Sequence, residues 1–157
     1  MKKNPQNVLI ILANPEKNSF SSYVAENYLA AAQEAGEKVQ LLDLYAPEWK
    51  QNFLSFDQEG KPIIDETTLV MQEKVKWANE LVFIFPIRWF DMPAILKNWW
   101  DNTMSSGFAY RHKAGSLQPH KLLKGKSARM LCNTGGPTWA MKLALFGTWI
   151  NRKFGRL

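Results

Sequence analysis

Short, continuous apolar runs alternate along the chain with longer amphipathic stretches. Val8-Leu9-Ile10-Ile11-Leu12 and Leu81-Val82-Phe83-Ile84 are apolar at every position, the mark of strands buried on both faces of a parallel sheet. The pattern predicts a first strand from about Asn7 to Ala13 and a helix from about Phe20 to Ala35. Ser19 or Asn18 is its candidate N-cap, and Gly36 its stop. A second strand, Val39 to Leu44, alternates more, as a strand nearer a sheet edge does. Tyr45 to Gly60 is a long polar and aromatic connection. A second helix, from about Thr67 to Ala78, leads into the third strand, Leu81 to Phe85. Asp91 has the chemistry of an N-cap for a third helix, with Pro93 in the first turn, where its missing N–H costs nothing. That helix carries Ile95, Leu96, Trp99, Trp100 and Met104. A fourth strand spans Ala128 to Cys132, and the residues beyond Pro137 read as one helical stretch interrupted at Gly147.

Strands alternating with helices of this length imply right-handed βαβ crossovers. The expected fold is a three-layer, doubly wound α/β domain around a parallel sheet. Four strands are visible where such sheets commonly have five, and the chain ends at Leu157, where a fifth would begin. In sheets of this kind ligands bind outside the carboxyl ends of the strands. The turns after the first, third and fourth strands are therefore the places to look for function.

Composition narrows the classes. A chain of 157 residues, 46% hydrophobic, fits a single domain over residues 1–157 with a sizeable core. No apolar run approaches the roughly 18–20 residues that span a bilayer, so stable membrane insertion is not expected. The basic start, Met1-Lys2-Lys3, precedes an apolar run too short for a secretory signal. A single cysteine excludes an internal disulfide framework and fits a reducing, cytoplasmic setting. The net charge of +6 conceals an asymmetry, because every acidic residue lies at or before Asp101. The basic remainder has three explanations: nucleic-acid binding, a rim for a phosphate-bearing cofactor, or a missing stretch that would supply acids. Its charges are interleaved with Leu, Trp, Phe and Gly and carry no recognition motif, so no nucleic-acid partner is expected.

The three turns have unusual chemistry. The first, Asn14-Pro15-Glu16-Lys17-Asn18-Ser19-Phe20-Ser21-Ser22, offers hydroxyls, amides and free backbone N–H groups at a helix start. Both phosphate binding and plain helix capping fit it. The third-strand turn, Pro86-Ile87-Arg88-Trp89-Phe90, places two large rings where a globular chain gains little by exposing them, which points to a flat aromatic ligand. Phe90 alternatively packs beneath the sheet end. The fourth-strand turn, Thr134-Gly135-Gly136, lets backbone approach a ligand closely, or is a simple turn. His112 and His120 lack metal-ligand spacing, so no metal site is expected. Cys132, inside an apolar strand, reads as an inert small hydrophobe. Trp99 and Trp100 face different ways on one helix, which assigns one to the core and the other to a subunit contact.

The stretch FPIRWFDMPAILKNWWD followed by GFAYRH closely resembles the NAD(P)H:quinone oxidoreductase family of flavodoxin-like proteins. Leu9 to Ser22, Leu42-Asp43-Leu44-Tyr45 and Asn133-Thr134-Gly135-Gly136 fall in the matching order. The resemblance implies a 2-1-3-4-5 sheet, here short of its fifth strand, a bound FAD or FMN, and NADPH or NADH as reductant. It also implies a homodimer and two-electron reduction of quinones. Carried over by position, Ser19, Phe20 and Ser21, with Asn14 nearby, would hold the flavin phosphate. Pro86, Ile87, Arg88, Trp89 and Phe90 would line the ring, and Thr134, Gly135 and Gly136 would contact its pyrimidine side. Tyr110 and His112 match substrate-side aromatic positions, often supplied by the partner subunit. The chain departs from the family in having Asn14 where His is frequent and Ser21 where Asn is frequent. The alternative is a flavin-binding ancillary subunit of the potassium-efflux type, or an electron carrier with little turnover. Carriers of this fold are typically acidic, and this chain is basic.

Overall fold

The computed structural model describes residues 5–89, 91–112, 115 and 118–136. Its centre is a four-stranded sheet built from β1 (Asn7–Leu12), β2 (Lys38–Asp43), β3 (Glu80–Pro86) and β6 (Ser127–Asn133). The strands are parallel throughout and run in the spatial order β2-β1-β3-β6, the first four places of the expected order. The continuous apolar runs are explained by two cores. Side chains alternate across a strand, so Leu9, Ile11 and Phe83 enter one cluster while Val8, Ile10, Leu12, Val82 and Ile84 enter the other.

The helix α1 (Phe20–Glu34) covers the second face, bringing Ala25, Val24 and Leu29 onto it. The helices α2 (Glu66–Trp77) and α3 (Ala94–Thr103) cover the first, with Met71, Val75, Leu96 and Trp99 in its core. Trp99 is buried edge-on against Phe83, with ring centroids 5.8 Å apart. Trp100 is half-buried and packs on the same cluster. Asn7 and Asn79 clasp the amino-terminal edge of the sheet. The Asn7 N–H donates to Asn79 Oδ1 at 2.9 Å, the Asn79 N–H returns to the Asn7 carbonyl at 2.7 Å, and the Ser127 N–H donates to the Asn79 carbonyl at 2.9 Å.

Two expectations are corrected. Asp91 does not cap α3: Pro93 occupies that place, and its carbonyl accepts the N–H groups of Leu96 and Lys97 at 2.9 and 3.1 Å. Asp91 is instead bound into the preceding turn, its Oδ1 accepting the Met92 N–H at 2.7 Å. Cys132 is exposed rather than inside the core, because β6 is the outermost described strand of the sheet. A two-residue hairpin, β4 (Tyr110–Arg111) against β5 (His120–Lys121), interrupts the chain between α3 and β6. The helical stretch expected beyond Pro137 lies outside the described residues.

Candidate active-site crevice

Because every strand of the sheet points the same way, the turns after β1, β3 and β6 emerge along one rim. At the first, Asn14 is buried and its Oδ1 accepts the Glu16 N–H at 3.2 Å, holding the chain in a tight bend. Ser19 is the N-cap of α1: its Oγ accepts the Ser22 N–H at 3.1 Å. The Ser22 hydroxyl then donates to the Glu16 carbonyl at 3.1 Å. Capping therefore engages Ser19 and Ser22, as the helix-capping alternative required. Two donors are left over. Among the described residues, the backbone N–H groups of Phe20 and Ser21 meet no acceptor, as the first groups of a helix do not. Phe20 carries its ring outward, exposed.

At the third turn, Arg88 and Asp91 exchange main-chain hydrogen bonds, both 2.9 Å, and close a tight loop. Trp89 rides on it with φ of +47° and 95% of its surface exposed. A bulky residue in the left-handed region is strained, and such strain concentrates at functional sites. Phe90 lies outside the described residues. At the fourth turn, the Thr134 hydroxyl donates to the Gly136 carbonyl at 2.9 Å. Neither Gly135 nor Gly136 has a positive φ, and a Cβ added at either meets no described atom within 4 Å. Nothing among the described residues demands glycine there. The open space these two leave is what a ligand lying flat against the backbone needs.

Asn133, at the end of β6, joins the three turns. Its backbone carbonyl accepts the Ile87 N–H at 2.9 Å, and its Oδ1 accepts the hydroxyl of Ser21 at 2.9 Å. Ser21 is 1% exposed, so its side chain is turned into the protein and contributes to the crevice only through its backbone. Sequence reasoning placed Asn133 next to the site without a role. The available signal was a polar side chain closing an apolar strand just before paired glycines.

Tyr110 and His112 stand elsewhere. Their rings meet edge to face with centroids 5.4 Å apart. Tyr110 lines a cavity of about 380 Å³ with Leu81, Ser127 and Ala128, residues at the amino-terminal starts of β3 and β6. Asn133 and Pro86 close those strands at the other end, about 20 Å away at some 3.3 Å per residue. One chain does not bring these two rings to its own crevice. No group of His, Cys, Asp and Glu among the described residues is arranged to hold a metal ion.

Backbone donors at a helix start, an exposed indole, and an open glycine turn on one rim fit a ligand with a phosphate and a flat ring. A doubly wound parallel sheet with a rim site of this kind defines the class of α/β nucleotide-cofactor proteins. The sequence profile of the flavodoxin-like fold matches residues 6–147, and the chain belongs to that family. It is 33% identical over 148 residues to NAD(P)H dehydrogenase [quinone] 1 of Cavia porcellus, covering 82% of this chain and 53% of that protein. It is 31% identical over 153 residues to the ribosyldihydronicotinamide dehydrogenase-like protein traD of Penicillium crustosum, covering 82% of this chain and 57% of the relative. The chain thus spans just over half the length of these curated relatives. Among solved structures, the NAD(P)H:quinone oxidoreductase of Methanothermobacter marburgensis superposes with a TM-score of 0.80 at 26% identity. That match covers 94% of this chain and 76% of the other. Among the described residues no helix is long and apolar enough to cross a membrane.

Proposed function

We propose that this protein is a flavin-dependent NAD(P)H:quinone oxidoreductase working as a homodimer. The flavin, as FMN or FAD, supplies a ring that exchanges hydride between NADH or NADPH and a quinone or similarly flat acceptor. The observation that carries the proposal is the convergence on Asn133: the Ser21 and Ile87 bonds hold three turns at one rim, with Trp89 exposed in front. The chain's similarity to the quinone dehydrogenase of Cavia porcellus and the quinone oxidoreductase of Methanothermobacter marburgensis supports it.

In this proposal the N–H groups of Phe20 and Ser21 receive a phosphate at the positive end of α1. Ser19 fixes the helix start that presents them, and Asn14 fixes the bend before it. Pro86, Ile87, Arg88 and Trp89 would form a wall along the ring. The backbone N–H groups of Thr134, Gly135 and Gly136 would lie at its electron-rich edge, where such donors stabilise negative charge. With so few acid–base groups on the rim, the protein's work is to bind, align and exclude water. Tyr110 and His112 would serve the crevice of a second subunit, which is why a homodimer belongs to the proposal.

The test is direct. The purified protein is titrated with FMN and FAD by flavin fluorescence, then assayed for NADH and NADPH oxidation with menadione as acceptor. Saturable binding and flavin-dependent turnover are expected. A protein that binds neither flavin and shows no turnover with either added overturns the proposal.

A further inference from the structure

We propose that Asn133 is a positioning residue that sets the distance between the phosphate-holding and ring-holding halves of the crevice; this rests on the flavin reading above. Three observations carry it. The residue's main chain is fixed twice, by the register that pairs it with Pro86 and by the Ile87 N–H bond to its carbonyl. Its side chain then reaches across to the first turn of α1 and accepts the Ser21 hydroxyl at 2.9 Å. Ser21 is buried, and that contact is the one hydrogen bond described for its hydroxyl. One short, rigid side chain therefore spans from the strand that carries the glycine turn to the helix whose first N–H groups face the phosphate. No other described side-chain bond links α1 to the turns after β3 or β6.

The geometry makes a specific demand. A ligand that reaches from the ring wall to the start of α1 reads the distance between them, whereas a ligand confined to the ring wall does not. FMN and riboflavin share the ring and the ribityl chain and differ by the phosphate. Removing the Asn133 amide takes away the described side-chain tie between the first turn of α1 and the end of β6 and leaves the carbonyl bond to Ile87 intact. FMN affinity then falls and riboflavin affinity does not.

The experiment measures dissociation constants of both ligands for the full chain, Asn133→Ala, Ser21→Ala and the double variant. Expected is a loss of up to about tenfold for FMN in each single variant, the scale of one lost hydrogen bond. Riboflavin affinity stays within about twofold, and the double variant is no weaker than either single one, as for two residues acting through one bond. Equal losses for both ligands, or additive losses in the double variant, overturn the positioning role while leaving the flavin reading in place. An unaltered protein that binds neither ligand overturns both.

Discussion

Arg88 and Asp91 hold each other through two reciprocal main-chain hydrogen bonds of 2.9 Å, and Trp89 sits inside the turn they close. The turn keeps an indole almost wholly in solvent, with a backbone conformation that ordinary residues avoid. Stability alone gives no reason for either feature. Trp89→Gly removes the strain but adds chain entropy to the unfolded state, each effect being about 1 kcal/mol. Urea denaturation is therefore expected to show stability unchanged within about 1 kcal/mol. Flavin titration of the same variant should show weakened binding. A large loss of stability would mean that the ring packs where it now stands free.

Ser19 separates capping from ligand binding. Aspartate caps helices as well as serine does and its charge suits the α1 start. Ser19→Asp should therefore keep the melting temperature within a few degrees. The added negative charge stands beside the Phe20 and Ser21 N–H groups and repels a phosphate. Binding of FMN is expected to weaken by tenfold or more, about 1.4 kcal/mol. Binding that is untouched would place the phosphate elsewhere.

Trp99 tests the core. Its ring is 1% exposed, and its indole N–H has no hydrogen-bond partner among the described residues. Truncation to alanine should cost about 3–5 kcal/mol. Trp99→Phe removes the unpaired donor, whose burial costs about 1–3 kcal/mol, and keeps most of the ring. Its net cost should be under half that of the alanine variant, measured by chemical denaturation.

Cys132 gives a pH signature. Burial pushes its thiol above the usual value, despite the exposure of the residue as a whole. The thiol should stay protonated at neutral pH, where only the thiolate is reactive. Alkylation by iodoacetamide at pH 7.5 is expected to be slower than for free cysteine. Because the folded state holds this proton more tightly than the unfolded state, its contribution to stability is complete below the unfolded pKa. That contribution declines as pH rises through the unfolded pKa toward the folded one. Cys132→Ser should flatten this alkaline decline in melting temperature.

Much of the fold was legible because its strongest signals are local. β1 and β3 announce themselves as unbroken apolar runs, and Ser19 and Gly36 mark the ends of α1 closely. The hairpin of Tyr110–Arg111 with His120–Lys121 left no trace, since two-residue strands carry no period to detect. Asp91 misled because it has the chemistry of a cap but is consumed by the turn before the helix. At the crevice, the three turns could be found from strand ends alone. The bond from Ser21 to Asn133 could not, for it joins residues 112 positions apart, and only the assembled sheet brings them together.

The clasp between Asn7 and Asn79 lies at the far side of the sheet from the crevice, yet it bears on how firmly the rim is held. With β1, β3 and β6 fastened at their entrances by asparagines, and β6 tied at its exit to Ile87 and to Ser21 of α1 by another, the strands have little freedom to slide or splay. The rim behaves as a mould of fixed width. On the proposed function, acceptors would then be sorted by thickness, with thin conjugated molecules admitted and puckered or bulky ones refused, whatever their redox potential.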